Sequence, residues 1–578
     1  RRERNKNEEI MKYSKRYIAF TVMLALVFLF KFQILGVDRA GIGQFRGAQL
    51  EAKVWNPLGA RDVNANLIKA VIDNQEYTNE QSNFYMNNNR NIMLPVALLR
   101  DALNCSAHIY DGKELLVEKH TLSVTMNAGE KKAYVNGEEY DIASALTKRD
   151  GEWYVSLNDL SDLLGYNCSF NIADNTIVTS DTDATALVPT TYDLRDKLRV
   201  SQIRNQGRYG TCWAFAATSA LESSLLPEEK ALFSVDHMTM SNSFDANQYD
   251  GGEYTMGMAY LAAWQGPVYE ADDPYGDGET DSNLKAVRHV QEMQIVDGKD
   301  YEGIKEAVFK YGGVQTSLYS TIRSSQGDSE YYNKTTNAYC YIGTEKPNHD
   351  VVIVGWDDNY PSANFNTPLE GDGAFICQNS WGSDFGDDGF FYVSYYDTNI
   401  GTHNVVYTRV DDTDNYDHIY QSDLCGWVGK MGYDSEQIYG ANVFQTKNAQ
   451  KLAAASFYAT GANTEYEVYV VHNFVNEKSF DESEKLAEGV LKKAGYYTID
   501  FDKEVELAAG EKYAIMIRVK TPGSKHPLAI EYDSGEKILQ GVDLDDGEGY
   551  ISPNGKKFVN VKEKRDCNLC IKAFTRDE

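Results

Sequence analysis

The sequence is poor in cysteine and in basic residues for its length. It has 8 cysteines in 578 residues, and they are not clustered as in small secreted domains that are stabilised by several disulfides. Its 56 Lys and Arg residues face 86 Asp and Glu residues, which leaves a formal net charge of −30. Because this excess of negative charge repels nucleic acids and anionic membranes, the sequence predicts neither as a partner. We interpret the charge as a source of solubility outside the cell.

Groups of metal-ligating residues are also scarce. Cys567 and Cys570 form a lone C-x-x-C pair, and no second pair is present to complete a zinc site. No thioredoxin-like context indicates a redox role, so we expect an incidental pair or a local disulfide. The acidic run at residues 411–415 lacks the glycine and the spaced glutamate of a calcium-binding EF-hand loop and is interpreted as a solvated linker. The sequence therefore predicts no metal site and no cofactor.

The length of the chain and its N-terminal pattern bear on domain number and location. A chain of 578 residues is too long for one hydrophobic core, so several domains are expected. Basic residues 11–16 precede an apolar run at residues 17–30, which is short for a membrane span and typical of a signal-peptide core. The apolar pattern resumes at residues 32–37, so an uncleaved anchor is the alternative. Residues 1–40 are interpreted as a signal peptide or N-terminal anchor, and the rest is expected to be extracellular or on the cell surface.

The segment around Cys212 carries the most specific chemical signal. Gln206 precedes Cys212 with two glycines between them, and Trp213 follows directly. When a thiolate attacks a carbonyl, the charge that develops on the oxygen can be stabilised by a side-chain amide and by the backbone N–H of the cysteine. Residues 213–226 favour a helix that ends before Pro227, and a cysteine at a helix N-terminus is stabilised as a thiolate. The competing interpretation is a buried, chemically inert cysteine.

Two downstream motifs favour the nucleophile. His349 stands at the start of a run of β-branched residues, and Asn379 lies shortly before Trp381. A histidine can take the proton of a cysteine, and an asparagine oxygen can hold the imidazole in orientation. Cys212, His349 and Asn379 are therefore a candidate catalytic triad, with Gln206 as the candidate oxyanion donor.

Together with further segments, these motifs resemble the papain family of cysteine proteases. The similar segments include residues 192–195 (Tyr-Asp-Leu-Arg), 249–252 (Tyr-Asp-Gly-Gly) and 266–270 (Gly-Pro-Val-Tyr-Glu). The resemblance covers residues 187–410 and implies an α+β domain with two lobes. It also implies a role for each candidate catalytic residue. Cys212 would be the nucleophile and His349 the base. Asn379 would orient the histidine, and Gln206 would be the oxyanion donor.

The resemblance also implies a substrate-binding strip. The backbone of Gly251 and Gly252 is expected to pair with the substrate, and Trp381 is expected to cover the bond between the histidine and the asparagine. The chain departs from the family pattern at Tyr249, where a disulfide-forming cysteine is common, and in a long polar loop at residues 357–373. No helical inhibitory segment is recognisable upstream, so the sequence does not indicate the family's usual route of activation.

Residues 66–182 contain an internal repeat. The pattern at residues 70–77 recurs at 133–140, and Leu-Pro-Val at 94–96 recurs as Val-Ser-Leu at 155–157. Each unit predicts strands around one short helix. The module resembles the copper amine oxidase N-terminal-like domain of secreted bacterial proteins, although no cluster of His or Cys has the spacing of a copper site. We expect this α+β module to serve as a spacer or an attachment module.

Residues 420–577 predict an all-β sandwich. Apolar and aromatic strand patterns occur at residues 453–459, 466–472, 496–501 and 513–519, with Gly and Asn turns between them. The segment resembles the lectin-like domain found behind papain-like domains in some Gram-positive bacteria. A glycan or cell-wall component is therefore a candidate ligand, although a Tyr-rich sandwich buries most of the rings that could stack on sugars.

The leading functional hypothesis is a secreted or surface cysteine endopeptidase that acts on proteins or peptides. We expect a thiolate–imidazolium pair of Cys212 and His349, since a papain-like environment lowers a cysteine pKa to about 3–4 from about 8.5. One alternative is an adhesin or scaffold that uses the protease fold for binding; the filled catalytic positions argue against it. Another is an aminopeptidase or transpeptidase on the same fold. Because its boundaries fall in polar linkers, a fragment of residues 187–409 is expected to keep the activity.

Overall fold

A computed structural model describes residues 69–578, except residues 73–74, 79–81, 89–90, 172–175, 182–187, 323 and 565. The interpreted signal peptide or anchor at residues 1–40 lies outside the described residues. None of the described helices is long and apolar enough to cross a membrane. Below, residues 69–181 are the N-terminal region, 188–411 the central region and 412–578 the C-terminal region, and all three belong to one compact unit.

The N-terminal region has the short strands and helices that the repeat pattern predicts. Its helices are Val96–Ala102 and Leu157–Leu164. Its strands are Lys69–Ile72, Gln75–Thr78, Tyr85–Met86, Ile92–Pro95, Ser106–Tyr110, Glu114–Lys119, Leu122–Asn127, Lys132–Val135, Glu138–Asp141, Thr147–Arg149, Glu152–Ser156, Tyr166–Asn171 and Thr176–Asp181. Each helix directly follows a strand, and these two strands, Ile92–Pro95 and Glu152–Ser156, pair antiparallel. The two repeat units therefore share a sheet.

The central region packs helices against one part of a large sheet. Its helices are Cys212–Leu225, Val235–Met240, Tyr254–Ala262 and Tyr301–Lys310, with a 3-10 turn at Ser362–Asn364. Its strands are Thr191–Asp193, His289–Ile295, Val314–Leu318, Tyr332–Asn333, Ala338–Tyr339, His349–Asp357, Ala374–Gln378, Phe390–Ser394 and Asn404–Asp411. The helix that starts at Cys212 ends just before Pro227, as predicted.

Two elements of the central region bring the candidate residues together. Strand His349–Asp357 is buried along almost all of its length and lies between Val314–Leu318 and Ala374–Gln378. Helix Cys212–Leu225 packs against this strand. Because Cys212 starts the helix and His349 starts the strand, a cleft opens between a helical lobe and a sheet lobe. This is the two-lobed α+β architecture that the resemblance implies.

The C-terminal region is all-β, as predicted: strands of two larger sheets pack face to face, and three further strands form a small separate sheet. Its strands are His418–Tyr420, Gly429–Met431, Gln437–Gln445, Gln450–Ala459, Thr464–Val471, Glu484–Leu491, Ala494–Leu507, Lys512–Lys520, Leu528–Glu531, Gly549–Ser552, Val559–Asn560, Asn568–Leu569 and Ile571–Asp577. Short helical turns are Glu477–Glu482, Lys537–Leu539 and Val561–Lys564. The buried side chains of Phe457 and Tyr497 from one sheet meet those of Val468 and Ile515 from the other.

One of these sheets is continuous with the sheet of the central region. Strand His289–Ile295 pairs antiparallel with Ala494–Leu507 of the C-terminal region. The acidic run at residues 411–415, interpreted above as a solvated linker, is a turn that connects strands Asn404–Asp411 and His418–Tyr420. Nδ1 of His289 donates a hydrogen bond to Oδ1 of Asn415 in this turn at 2.6 Å. The two regions are therefore joined through backbone hydrogen bonds as well as through the chain.

The N-terminal region contacts the central region away from the candidate residues. Tyr110 donates a hydrogen bond to the carbonyl of Lys197 at 3.1 Å, and Lys197 Nζ lies 2.6 Å from Glu118. At a second point, Tyr311 donates a hydrogen bond to Asp101 at 2.6 Å. None of the described residues that line the cleft next to Cys212 belongs to the N-terminal region.

Candidate active site

Cys212 occupies the first position of its helix, where the helix dipole favours a negative charge. The residue before it, Thr211, makes no side-chain cap, so its hydroxyl does not occupy the first backbone N–H groups of the helix. The next residue, Trp213, packs against Gly252, and a Cβ at that glycine would collide with the indole. Gly251 has φ +81°, a conformation that favours glycine. The two glycines of the strip are thus fixed by local geometry.

His349 is held by Asn379 and covered by Trp381. Nε2 of His349 lies 2.8 Å from Oδ1 of Asn379. The same oxygen accepts a hydrogen bond from the backbone N–H of Ser380 at 2.8 Å, which identifies it as the oxygen of the amide. His349 therefore donates from Nε2, and the neutral ring keeps Nδ1 as an acceptor. The ring of Trp381 stacks on the imidazole with 4.6 Å between centroids, so it shields this bond from water.

Gln206 is fixed by contacts on both ends of its amide. Its Nε2 donates to the carbonyl of Tyr209 at 2.8 Å, and its Oε1 accepts from Ser380 Oγ at 2.7 Å. The backbone of Gln206 also donates to the carbonyl of Ser380 at 2.8 Å, which ties the segment before the nucleophile to the segment after Asn379. Among the described residues, none accepts a hydrogen bond from the second N–H of the Gln206 amide.

A cleft with a volume of about 550 Å³ connects these groups. Its lining includes Cys212, His349 and Gly252. Asn379 and Trp381 are buried behind the histidine, at 3% and 6% exposure, so they orient the base without facing the cleft. The structure thus brings the four predicted catalytic residues into one place and puts the glycine strip beside the nucleophile.

Burial acts against the charged pair that the sequence predicts. It raises the pKa of the Cys212 thiol to about 12, and the negative charge of Asp350 adds to the shift. It lowers the pKa of His349 to about 4, although the hydrogen bond to Asn379 opposes that change. Desolvation thus opposes the resting thiolate–imidazolium pair that the sequence predicts, and that pair stays a prediction.

Three residues of the site were missed by sequence reasoning. Ser380 holds the Gln206 amide, but a serine beside an asparagine carries no distinctive pattern. Asp350 and Glu253 line the cleft as carboxylates. The sequence did contain a signal for these two carboxylates, because Asp350 directly follows the candidate base and Glu253 directly follows the glycine strip.

The other cysteines whose side chains the structure describes are all buried. Cys340 and Cys377 are buried, and burial raises the pKa of the Cys340 thiol to about 12. Cys567 and Cys570 are buried and are not joined by the local disulfide that was one expectation. Within the described part of the chain, no group of three or more His, Cys, Asp or Glu side chains is arranged to hold a metal ion.

Comparisons with protein families match three segments of the chain. Residues 188–410 match the papain family of cysteine proteases. Residues 71–179 match the copper amine oxidase N-terminal domain, and residues 419–575 match a lectin-like domain. Within residues 71–179, the described residues offer no ligand set for copper. The recognition made from sequence motifs is confirmed for all three segments.

Curated relatives and solved structures agree with these matches. Cathepsin S of Bos taurus is 28% identical over 234 residues, which cover 39% of this chain and 65% of the relative. A cathepsin L-like peptidase of Aedes aegypti is 29% identical over 211 residues, 35% of this chain and 58% of the relative. The chain thus spans less than two thirds of the length of either relative.

Two solved structures cover more of the chain. The clostridial cysteine protease Cwp84 after propeptide cleavage matches with a TM-score of 0.61 and 28% identity, over 67% of this chain and 99% of that one. The cysteine protease and lectin-like domains of Cwp84, a surface layer associated protein of Clostridium difficile, match with a TM-score of 0.59 and 27% identity, over 67% and 89%. Both support a protease domain followed by a lectin-like domain.

Proposed function

We infer that this chain, whose residues 188–410 are a domain of the papain family of cysteine proteases, is a cysteine endopeptidase that cleaves proteins or peptides. The observation that carries the proposal is the 2.8 Å bond from His349 Nε2 to Asn379 Oδ1, with Cys212 on the wall of the same cleft. This arrangement leaves Nδ1 of the histidine as a base for the thiol.

The chemistry follows from these groups. His349 Nδ1 accepts the proton of Cys212, which gives the charged pair, and the sulfur attacks the substrate carbonyl. The second N–H of Gln206 and the backbone N–H of Cys212 stabilise the oxyanion. The imidazolium then donates its proton to the leaving amine. Water, activated by the neutral imidazole, attacks the thioester, which releases the acid and restores the thiol.

We place the activity at the cell surface or outside the cell. Three features support this location: the apolar N-terminal pattern at residues 17–30, the acidic net charge of −30, and the likeness to Cwp84, which is itself described as surface layer associated. The N-terminal module and the C-terminal sandwich would then attach the enzyme to the surface, and a cell-wall glycan is the proposed ligand of the sandwich.

Active-site labelling tests the proposal. The full chain is treated with an epoxide inhibitor of thiol proteases, and the modified residue is mapped by mass spectrometry. We expect one adduct, on Cys212, and no adduct in Cys212→Ala. The matched controls are Cys340→Ala and Cys377→Ala, which should label like the wild type because both thiols are buried. An adduct on either of these residues in the Cys212→Ala protein would refute the assignment.

Blocked peptides separate the endopeptidase from the alternatives. Hydrolysis of peptides with acetylated N-termini supports an endopeptidase, and cleavage restricted to free N-termini would support an aminopeptidase. If a labelled protein cleaves neither class but joins peptides to amine acceptors, a transpeptidase is indicated. Surface binding without labelling would favour the adhesin.

A further inference from the structure

The cleft beside Cys212 carries two carboxylates that the catalytic mechanism does not use. Asp350 directly follows His349 and is 8% exposed, and Glu253 directly follows the glycine strip at the exposed rim. Both line the same cleft as the nucleophile. Tyr254 completes this part of the lining and packs against the ring of His403 with 5.1 Å between centroids.

Asp350 is held in place by neutral groups. Its Oδ1 accepts a hydrogen bond from Ser317 Oγ at 2.7 Å, and its Oδ2 accepts one from Gln315 Nε2 at 2.9 Å. Among the described residues, no ion pair involves Asp350 or Glu253. Burial raises the pKa of Asp350 to about 6, the two hydrogen bonds oppose the shift, and the charge of Glu253 adds to it. The carboxyl is thus ionised at neutral pH and has no cationic partner.

The other titratable groups of the cleft do not neutralise this charge. Lys346 is exposed in the same cleft, but the charged group that acts on Asp350 is Glu253. Burial lowers the pKa of His403, with Glu253 opposing the shift, so the ring is neutral at pH 7. The region between Asp350, Glu253 and Tyr254 therefore carries negative charge from two sides, within reach of the reacting sulfur.

We propose that Asp350 and Glu253 form a subsite for a cationic side chain, Arg or Lys, of a substrate residue close to the scissile bond. The proposal rests on the peptidase function inferred above. A carboxylate already fixed by Ser317 and Gln315 loses little conformational freedom when it binds a cation, and charge-assisted hydrogen bonds are the strong ones. An acidic side chain is repelled there, and a neutral one of equal length leaves the buried charge without a counter-ion.

The test compares cationic residues with neutral residues of the same shape. N-blocked fluorogenic peptides carry Arg or citrulline, and Lys or norleucine, at each position around the scissile bond. At one position we expect kcat/KM to favour the cation by about tenfold to a hundredfold, the range of a hydrogen bond to a charged group. Each preparation is first titrated with the epoxide inhibitor, so the rates refer to active sites.

Three variants assign the preference to its residues. Asp350→Asn keeps the shape and can still bond Ser317 and Gln315, and it should reduce the preference to less than about threefold. Glu253 lies at the exposed rim, so Glu253→Gln should not affect folding. This variant should reduce the preference for the cation by a smaller factor. The matched control is Lys346→Gln, which removes a charge of opposite sign from the same cleft and should leave the preference in place or increase it.

The outcomes separate the subsite from the peptidase function. A wild-type enzyme that prefers a cation at no position, or a preference that survives both carboxylate variants, overturns the subsite. A protein that neither labels nor cleaves any peptide contradicts the peptidase function instead. Calorimetric binding of the Arg and citrulline peptides to Cys212→Ala tests the subsite without turnover, and equal affinities there also overturn it.

Discussion

Met293 of the central region and Tyr496 of the C-terminal region are paired residues in one antiparallel ladder. Their strands continue a single sheet from the central region into the C-terminal region. Tyr496 is fully buried and belongs to the same core as Met293, along with Tyr458 and Cys570 of the C-terminal region. The core of the central region is therefore completed by side chains of the C-terminal region.

Gly495→Ala should weaken this junction. Gly495 has φ +150°, and a Cβ there would collide with the carbonyl oxygen of Met293, which is held in the ladder. We expect a loss of about 1–3 kcal/mol in the free energy of unfolding from overpacking alone, measured by denaturant unfolding. Gly510→Ala is the control: its φ is +74°, but no atom lies near the added Cβ, so only the backbone cost of about 1 kcal/mol applies. Equal losses in the two variants would contradict the collision.

A fragment of residues 187–409 should fold poorly, in contrast to the expectation from its polar boundaries. Removing the C-terminal region exposes strand His289–Ile295 as a sheet edge and takes Tyr496 out of the core. We expect the fragment to aggregate and to give little inhibitor labelling per mole, whereas a fragment of residues 188–578 labels fully. Comparable labelling and monomeric behaviour of the two fragments would show that the shared sheet is dispensable.

Local patterns explain what could be predicted from the sequence. The helix after Cys212 and the strand after His349 follow from runs of residues that favour those structures. The strand patterns of the C-terminal region coincide with observed strands, and only His472 lies beyond the end of its strand. The pairing of Met293 with Tyr496 joins residues far apart in the chain, and no local pattern encodes it. The upward shift of the Cys212 pKa comes from desolvation in the folded chain, which motif spacing does not report.

Gln206→Ala should reduce turnover without preventing labelling. One of the two proposed oxyanion donors is lost, so we expect kcat to fall roughly 10²-fold, with KM changed much less. Ser380→Ala is a test of positioning, because it frees the Gln206 amide but leaves it present. It should cost less than Gln206→Ala, and Ser380→Thr, which keeps the hydroxyl, should recover part of the loss. Wild-type kcat in Gln206→Ala would count against the oxyanion role.

Asn379→Ala should be less damaging than His349→Ala. The variant removes the oxygen that accepts from His349 Nε2 and from the Ser380 N–H, but the base remains. We expect kcat/KM to fall by about tenfold to a hundredfold, in line with one hydrogen bond in a buried site. Single-turnover measurements on one peptide give the comparison. If Asn379→Ala is as inactive as His349→Ala, then the amide does more than orient the ring.

The resting protonation state of Cys212 can be read from its alkylation by iodoacetamide. Burial raises the pKa of this thiol and lowers that of His349, so desolvation favours the neutral pair at rest and a thiolate fraction that increases with pH. We expect the rate to keep rising above pH 7. Asp350→Asn removes a negative charge that raises the thiol pKa, so its profile should shift to lower pH, whereas Lys346→Gln should not shift it in that direction. A rate that is already constant from about pH 5 would instead establish a resting thiolate–imidazolium pair.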